Sequence, residues 1–341
     1  MKKFGQAIVC CTIFIFGWLV SLELLSQEIE LRCDPSKVMT VEACAKCHAN
    51  EVQAWRQTPH FKTFETLHRN PRAKEIAGKL GLRSIKRSDV CIDCHYTMKQ
   101  SGERLRAVSG VSCESCHGAS MDWLDLHNDY GGPTATKDSE SEAHSRNRVA
   151  ESINAGMRNP RNTYLIARSC LECHTVPNEK LVNVGGHRAG TSDFEFVAWS
   201  QGMVRHNFLR TNGTSNAKND QNTLREMYVV GLIADLEFST RATAKATSKS
   251  NFGLTAAQRS ADVSLKLYEI QQEIKNPVLQ RVLESFAQAE LRVNNSMQLE
   301  AIADQIKAAG IEFAMSADGS TMAAIDRWLP AESEYKNTAS R

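Results

Sequence analysis

The sequence predicts a mainly α protein in three parts: a leader (1–33), a loop-rich segment dense in cysteine motifs (34–221) and a C-terminal helical bundle (222–341). Three observations carry that reading. Cysteine and histidine stop before about Asn222. Beyond it, apolar residues recur at helical spacing: Val278, Leu279, Val282, Leu283 and Phe286 share one stripe, and Leu299, Ile302, Ala303 and Ile306 another. Between the cysteine motifs polarity is mixed, and Gly131-Gly132-Pro133 and Asn159-Pro160 interrupt, as in short helices joined by loops.

In the leader, Lys2 and Lys3 precede an apolar run over 4–22, and Glu23, Glu28 and Glu30 follow. A positive end, an apolar stretch and an acidic exit fit insertion with the N-terminus inside and the remainder exported. Nineteen residues just suffice to span a bilayer, and no small-x-small cleavage site follows Leu22. The expectation is a periplasmic protein tethered to the inner membrane, with a cleaved signal peptide as the alternative. Cys10 and Cys11 read as membrane-buried small hydrophobes, and Cys33 stands alone.

Lys plus Arg number 41 against 39 Asp plus Glu, and no basic run or aromatic-basic stripe occurs, which argues against nucleic acid as a partner. The eleven cysteines are the outlier. Eight lie in Cys-x-x-Cys pairs, each followed at once by histidine: Cys44, Cys47 and His48; Cys91, Cys94 and His95; Cys113, Cys116 and His117; Cys170, Cys173 and His174. An exported cysteine-rich chain suggests a disulfide framework, but disulfides give no reason for the trailing histidine. A zinc ribbon would leave it idle, and a thioredoxin-type site needs one pair. Covalent haem attachment uses all three residues: two thiols add across the vinyl groups, and the next imidazole sits under the iron. The middle segment therefore reads as a loop-rich multihaem cytochrome c domain with four c-type haems. Seventeen residues separate His95 from Cys113, against more than forty between other neighbours, which brings the second and third haems close along the chain.

Six histidines remain for the other axial position: His60, His68, His127, His144, His187 and His206. Trp123 and His127 are i and i+4 on a helix, and Trp55 with His60 and Trp199 with His206 repeat the pairing. These three are the favoured distal ligands. His187 joins them, because its flanking Gly185-Gly186 lets backbone approach a haem face. His68 and His144 sit in polar surroundings that suit solvated side chains. Met98, Met121 and Met203 read as packing, the tryptophans as neighbours of porphyrin faces, and any single arginine near a motif, Arg168 included, as surface charge.

The four motifs, the GVSCESCHG stretch with W-x-x-x-H after it, and the early W-x-x-x-x-H resemble the tetrahaem cytochrome c-554 family over 39–208. The resemblance implies parallel and perpendicular haem pairs, three bis-histidine haems and one five-coordinate haem. By motif matching, His60 and His127 look like family distal ligands and His206 like the third. The five-coordinate haem corresponds to Cys91, Cys94 and His95, and His187 is an additional candidate in this chain. The family's founding member carries electrons away from hydroxylamine oxidoreductase.

The reading is a carrier of single electrons between redox proteins, with hydroxylamine-oxidoreductase-like or quinol-oxidising partners implied. The alternative is an enzyme with one open haem acting on nitric oxide or hydroxylamine. The C-terminal helices read as a structural or dimerising addition.

Overall fold

The computed structural model describes residues 32–336. The apolar run over 4–22, with Cys10 and Cys11, lies outside them. Among the described residues no helix is long and apolar enough to cross a membrane.

The motif-bearing part is a succession of short helices: α1 (Val41–Ala45), α2 (Ala49–Arg56), α3 (Pro59–Thr66), α4 (Pro71–Lys79) and α5 (Asp89–His95), then α6 (Cys113–His117), α7 (Glu142–Asn154), α8 (Thr163–His174), α9 (Glu179–Asn183) and α10 (Phe196–Ser200). Local chemistry starts several of them. Thr58 accepts from the Phe61 amide at 3.2 Å with Pro59 at the first helical position, and Asn70 caps α4 in the same way before Pro71. A side-chain acceptor satisfies one orphan amide, and proline has none to satisfy.

Between α5 and α6 runs a hairpin that the sequence reading had as loop. Strands β1 (Thr97–Ser101) and β2 (Arg104–Ser109) pair antiparallel, with Lys99 opposite Arg106. Gly102, at φ 57°, makes the turn. The strands are too short for a periodicity to register, and the ladder shifts between Thr97 and Met98.

The C-terminal part comprises α11 (Gln221–Ala244), α12 (Asn251–Ile274), α13 (Pro277–Phe286) and α14 (Ser296–Ser316). Their boundaries follow the expected punctuation: Asn276 caps α13 ahead of Pro277, and α14 ends before Ala317. Of the two predicted stripes, Val278, Leu279 and Val282 are buried on α13, and Leu299, Ile302, Ala303 and Ile306 on α14. Helix α11 is buried almost all round, as a central helix must be.

The two parts share one core. Tyr164, Ala167 and Leu171 of α8, the helix of the fourth motif, pack with Val230 and Ile233 of α11 and Ile306 and Phe313 of α14. Close approach depends on Gly310, where a Cβ would overlap the fully buried Tyr164 ring. Alanine gains about 1 kcal/mol of helix propensity, whereas overpacking a fixed aromatic costs about 1–3 kcal/mol. Gly310→Ala is therefore expected to lower stability, read as a lower midpoint in urea unfolding. An unchanged or raised midpoint would mean that Tyr164 moves aside freely.

Candidate metal centres

Each motif is presented at a helix end. His95, His117 and His174 are the last residues of α5, α6 and α8, and His48 immediately precedes α2. A helical turn puts cysteines at i and i+3 on one side, with the imidazole at the exit. Among the described residues all the cysteines are free thiols, so the disulfide framework is not formed. Nor do three His, Cys, Asp or Glu side chains converge there, as a zinc ribbon would require.

The second histidines come from elsewhere in the chain. His48 faces His127 with ring centres 6.3 Å apart, His95 faces His187 at 6.5 Å, His117 faces His206 at 6.1 Å and His174 faces His60 at 6.4 Å. An imidazole nitrogen binds a metal at about 2.0–2.1 Å, so two rings on opposite sides of one ion have centres roughly 6.3 Å apart. All four gaps match that span. They are too wide for stacked or hydrogen-bonded imidazoles, so the residues fit an iron held between two histidines.

The ring orientation agrees. Nδ1 of His127 meets Leu124 O at 2.6 Å, that of His187 meets Arg188 O at 2.9 Å, and that of His206 meets Val204 O at 2.7 Å. On the motif side, His117 Nδ1 lies 3.3 Å from Arg158 O, and His174 Nδ1 lies 3.1 Å from Thr191 Oγ1. A protein partner at Nδ1 sets the tautomer that leaves the Nε2 lone pair for a metal. Burial, reinforced by the facing imidazole, pushes His95 and His117 down to about 4. They are thus held in the neutral form a metal takes.

Sequence reasoning named all eight histidines without pairing them, and two local associations came out differently. Trp123 does pack edge-on against His127 at 5.3 Å. Trp199, expected beside His206, instead lies 5.2 Å from His174. Trp55 meets Phe61 at 4.8 Å and donates to Val111 O. Nearness in sequence misled because α3 turns His60 away from the first motif and towards the fourth. His144 binds Glu140 at 2.8 Å, and His68 lines a surface cleft.

The sites are tied together by residues that no spacing rule announces. The Cys44 thiol lies beside that of Cys113, and the Cys94 thiol beside that of Cys173. The first motif therefore adjoins the third and the second adjoins the fourth, while the second also meets the third, Thr97 Oγ1 lying 2.8 Å from Ser115 Oγ. Ser169 donates to Cys116 O at 2.6 Å, linking third and fourth. The Arg32 guanidinium sits between Cys173 Sγ (2.8 Å) and Cys94 Sγ (3.0 Å) and pairs with Asp93 at 3.2 Å. The C-terminal helices reach in as well. Asp235 holds Arg259 at 2.6 Å, and Arg259 donates to Thr191 O, the residue whose hydroxyl meets His174.

Glu114, inside the third motif and 1% exposed, accepts from Met39 N, Thr40 N, Ser120 N and Ser120 Oγ at 2.7–2.9 Å. It clamps the entry to α1 onto α6. Glu114→Ala leaves those donors unmatched and is expected to cost about 3 kcal/mol, measured by urea unfolding followed by far-UV dichroism. A loss under about 1 kcal/mol, the size of one ordinary hydrogen bond, would mean that water replaces the clamp.

Residues 43–118 match the family model described as cytochrome c554 and c-prime. The cytochrome c-554 of Nitrosomonas europaea (strain ATCC 19718) is 30% identical to this chain over 99 residues. That alignment covers 26% of this chain and 41% of the relative, so the likeness spans less than half of either. No solved structure matches.

Proposed function

We propose that the chain, whose residues 43–118 match the cytochrome c554 and c-prime family model, holds four c-type haems and passes single electrons between redox proteins. The observation that carries the reading is the set of four histidine pairs at 6.1–6.5 Å. The eight cysteines would anchor the haems, and each histidine pair would hold one iron.

When bound, such haems supply one-electron iron couples buried in protein. The residues do the rest. His48 with His127, His95 with His187, His117 with His206 and His174 with His60 exclude water and small ligands from the metal. The Cys44–Cys113 contact puts the first site beside the third, and the Ser169–Cys116, Thr97–Ser115 and Cys94–Cys173 contacts join the third, fourth and second sites to one another for passage through the protein. The enzymatic alternative needs an open iron position. Each motif histidine instead has a partner at ligating span, which favours the carrier. Export and tethering by the run over 4–22 belong to the same proposal, and carbonate-resistant membrane association of the full chain would support them.

The test is electron paramagnetic resonance of the oxidised protein before and after nitric oxide, with haem counted by pyridine haemochrome. Four haems per chain and low-spin signals unchanged by nitric oxide are expected. A high-spin ferric signal that nitric oxide abolishes would overturn the closed-site reading.

A further inference from the structure

A cleft of about 420 Å³ opens between α4, the turn Ile85–Arg87 and His68. Its charged lining is Lys74, Arg83 and Lys86, with no carboxylate among the lining residues. Desolvation and the nearby Lys86 and Arg69 charges hold His68 below the usual imidazole range. Glu65 and Glu75 are taken up by Arg69, Arg72 and Lys79. Lys74, Arg83 and Arg87 make no ion pair among the described residues, and neither do Arg104 and Arg106 on the adjoining β2. Among the described residues, exposed Asp89 and Glu103 are the unpaired carboxylates nearby, so a chain that is nearly neutral overall gathers net positive charge here.

That face lies over the second motif. Lys86 Nζ stands 3.8 Å from the Phe64 ring centre and 5.8 Å from that of Tyr96, the residue after His95. Arg72 of α4 donates to Gly186 O at 2.7 Å, next to His187. On the same hairpin Leu105 and Val108 are 46% and 39% exposed, Leu105 on the opposite strand face from Arg104 and Arg106. Exposed apolar side chains beside charge suit a protein partner; a small anion would not use them. The surface beside the first site differs in sign, because exposed Asp125 and Asp129 flank His127.

We propose that the α4 cleft with the β1–β2 hairpin is the docking face for an acidic redox protein, which there exchanges electrons with the second haem site. This rests on the four-haem reading above. One electron crosses per encounter: the protein that gives it is oxidised by one unit and the other is reduced by one, with no bond made or broken. Long-range attraction between opposite charges would speed encounter, and salt would weaken it.

The test uses the full chain with its haems and a reduced acidic flavodoxin as the probe protein, followed by stopped flow. Arg83→Glu combined with Arg104→Glu and Arg106→Glu is expected to slow reduction about tenfold or more at low salt, with the difference fading at high salt. Leu105→Ser should slow flavodoxin while leaving reaction with hexacyanoferrate, a small anion, unchanged. Should the triple glutamate variant fail to fold, the corresponding glutamines replace it, and a several-fold loss is expected. Rates equal to wild type in a variant carrying four haems overturn the docking face alone. Loss of the hexacyanoferrate rate in Leu105→Ser would mean general access to the haem rather than protein docking. Fewer than four haems, or a nitric-oxide-sensitive haem in wild type, overturns the underlying reading instead.

Discussion

On the proposed four-haem reading, replacing His187 by alanine should turn one haem in four from low-spin to high-spin and leave the other three untouched. His187 faces His95 at 6.5 Å, and its Nδ1 is occupied by Arg188 O at 2.9 Å, so Nε2 is the nitrogen presented. The backbone is fitted to that role. Gly185 lies so close to α4 that a Cβ would come within 3.1–3.2 Å of the Leu80 and Ile76 side chains. Without His187, one axial position opens at the second site. About a quarter of the haem should then gain a high-spin ferric signal and bind nitric oxide. His144→Ala is the control, since His144 pairs with Glu140 and faces no motif histidine. A His187→Ala protein with four haems and an unchanged low-spin spectrum would show that His187 is not a ligand. The resemblance implied a five-coordinate second haem; in this chain the second motif histidine already faces another imidazole.

The largest stability effect is expected at Glu237. It is fully buried on α11, yet it accepts from Tyr164 Oη at 2.8 Å, from Arg168 at 2.9 and 3.1 Å and from Arg241 at 2.9 Å. Arg241 continues to Glu300 and Asp304. The carboxylate thus holds two guanidinium groups that reach it from α8 and from its own helix. Glu237→Ala would leave the half-buried Arg168 charge and the buried Tyr164 hydroxyl without their acceptor, and Arg241 with only Glu300 and Asp304, at a cost of about 3–5 kcal/mol. Urea unfolding monitored by dichroism and haem absorbance measures it. Glu237→Gln should fall between, because it keeps an acceptor but loses the charge. If Glu237→Ala unfolds within about 1 kcal/mol of wild type, the network contributes specificity rather than stability. Arg168, read from sequence as surface charge, is committed to this carboxylate instead.

The motif chemistry was legible because it is covalent and local. Two thiols three apart followed by an imidazole have one economical use, and four repeats leave little room for chance. The helices from Gln221 onward were legible for a similar reason: long runs such as α13 and α14 carry the 3.6-residue period over several turns, and Asn276-Pro277 stops the chain where backbone sterics require it. Of the tryptophan neighbours used to choose among the remaining histidines, only Trp123 packs against its histidine, His127.

Which histidine meets which motif was decided only by the fold. His60 lies twelve residues after His48, yet it faces His174. A ligand pair is fixed by where helices end in space, and chain separation carries no information about that once several loops intervene. The same holds for Glu114, Arg32, Arg259 and Glu237, which join sites through contacts between distant segments. The hairpin 97–109 escaped because its strands are too short to show a period. The sequence by itself determined the four cysteine–histidine motifs and the helical frame; tertiary packing decided the pairing of the histidines, the adjacency of the sites and the gathering of charge over one of them.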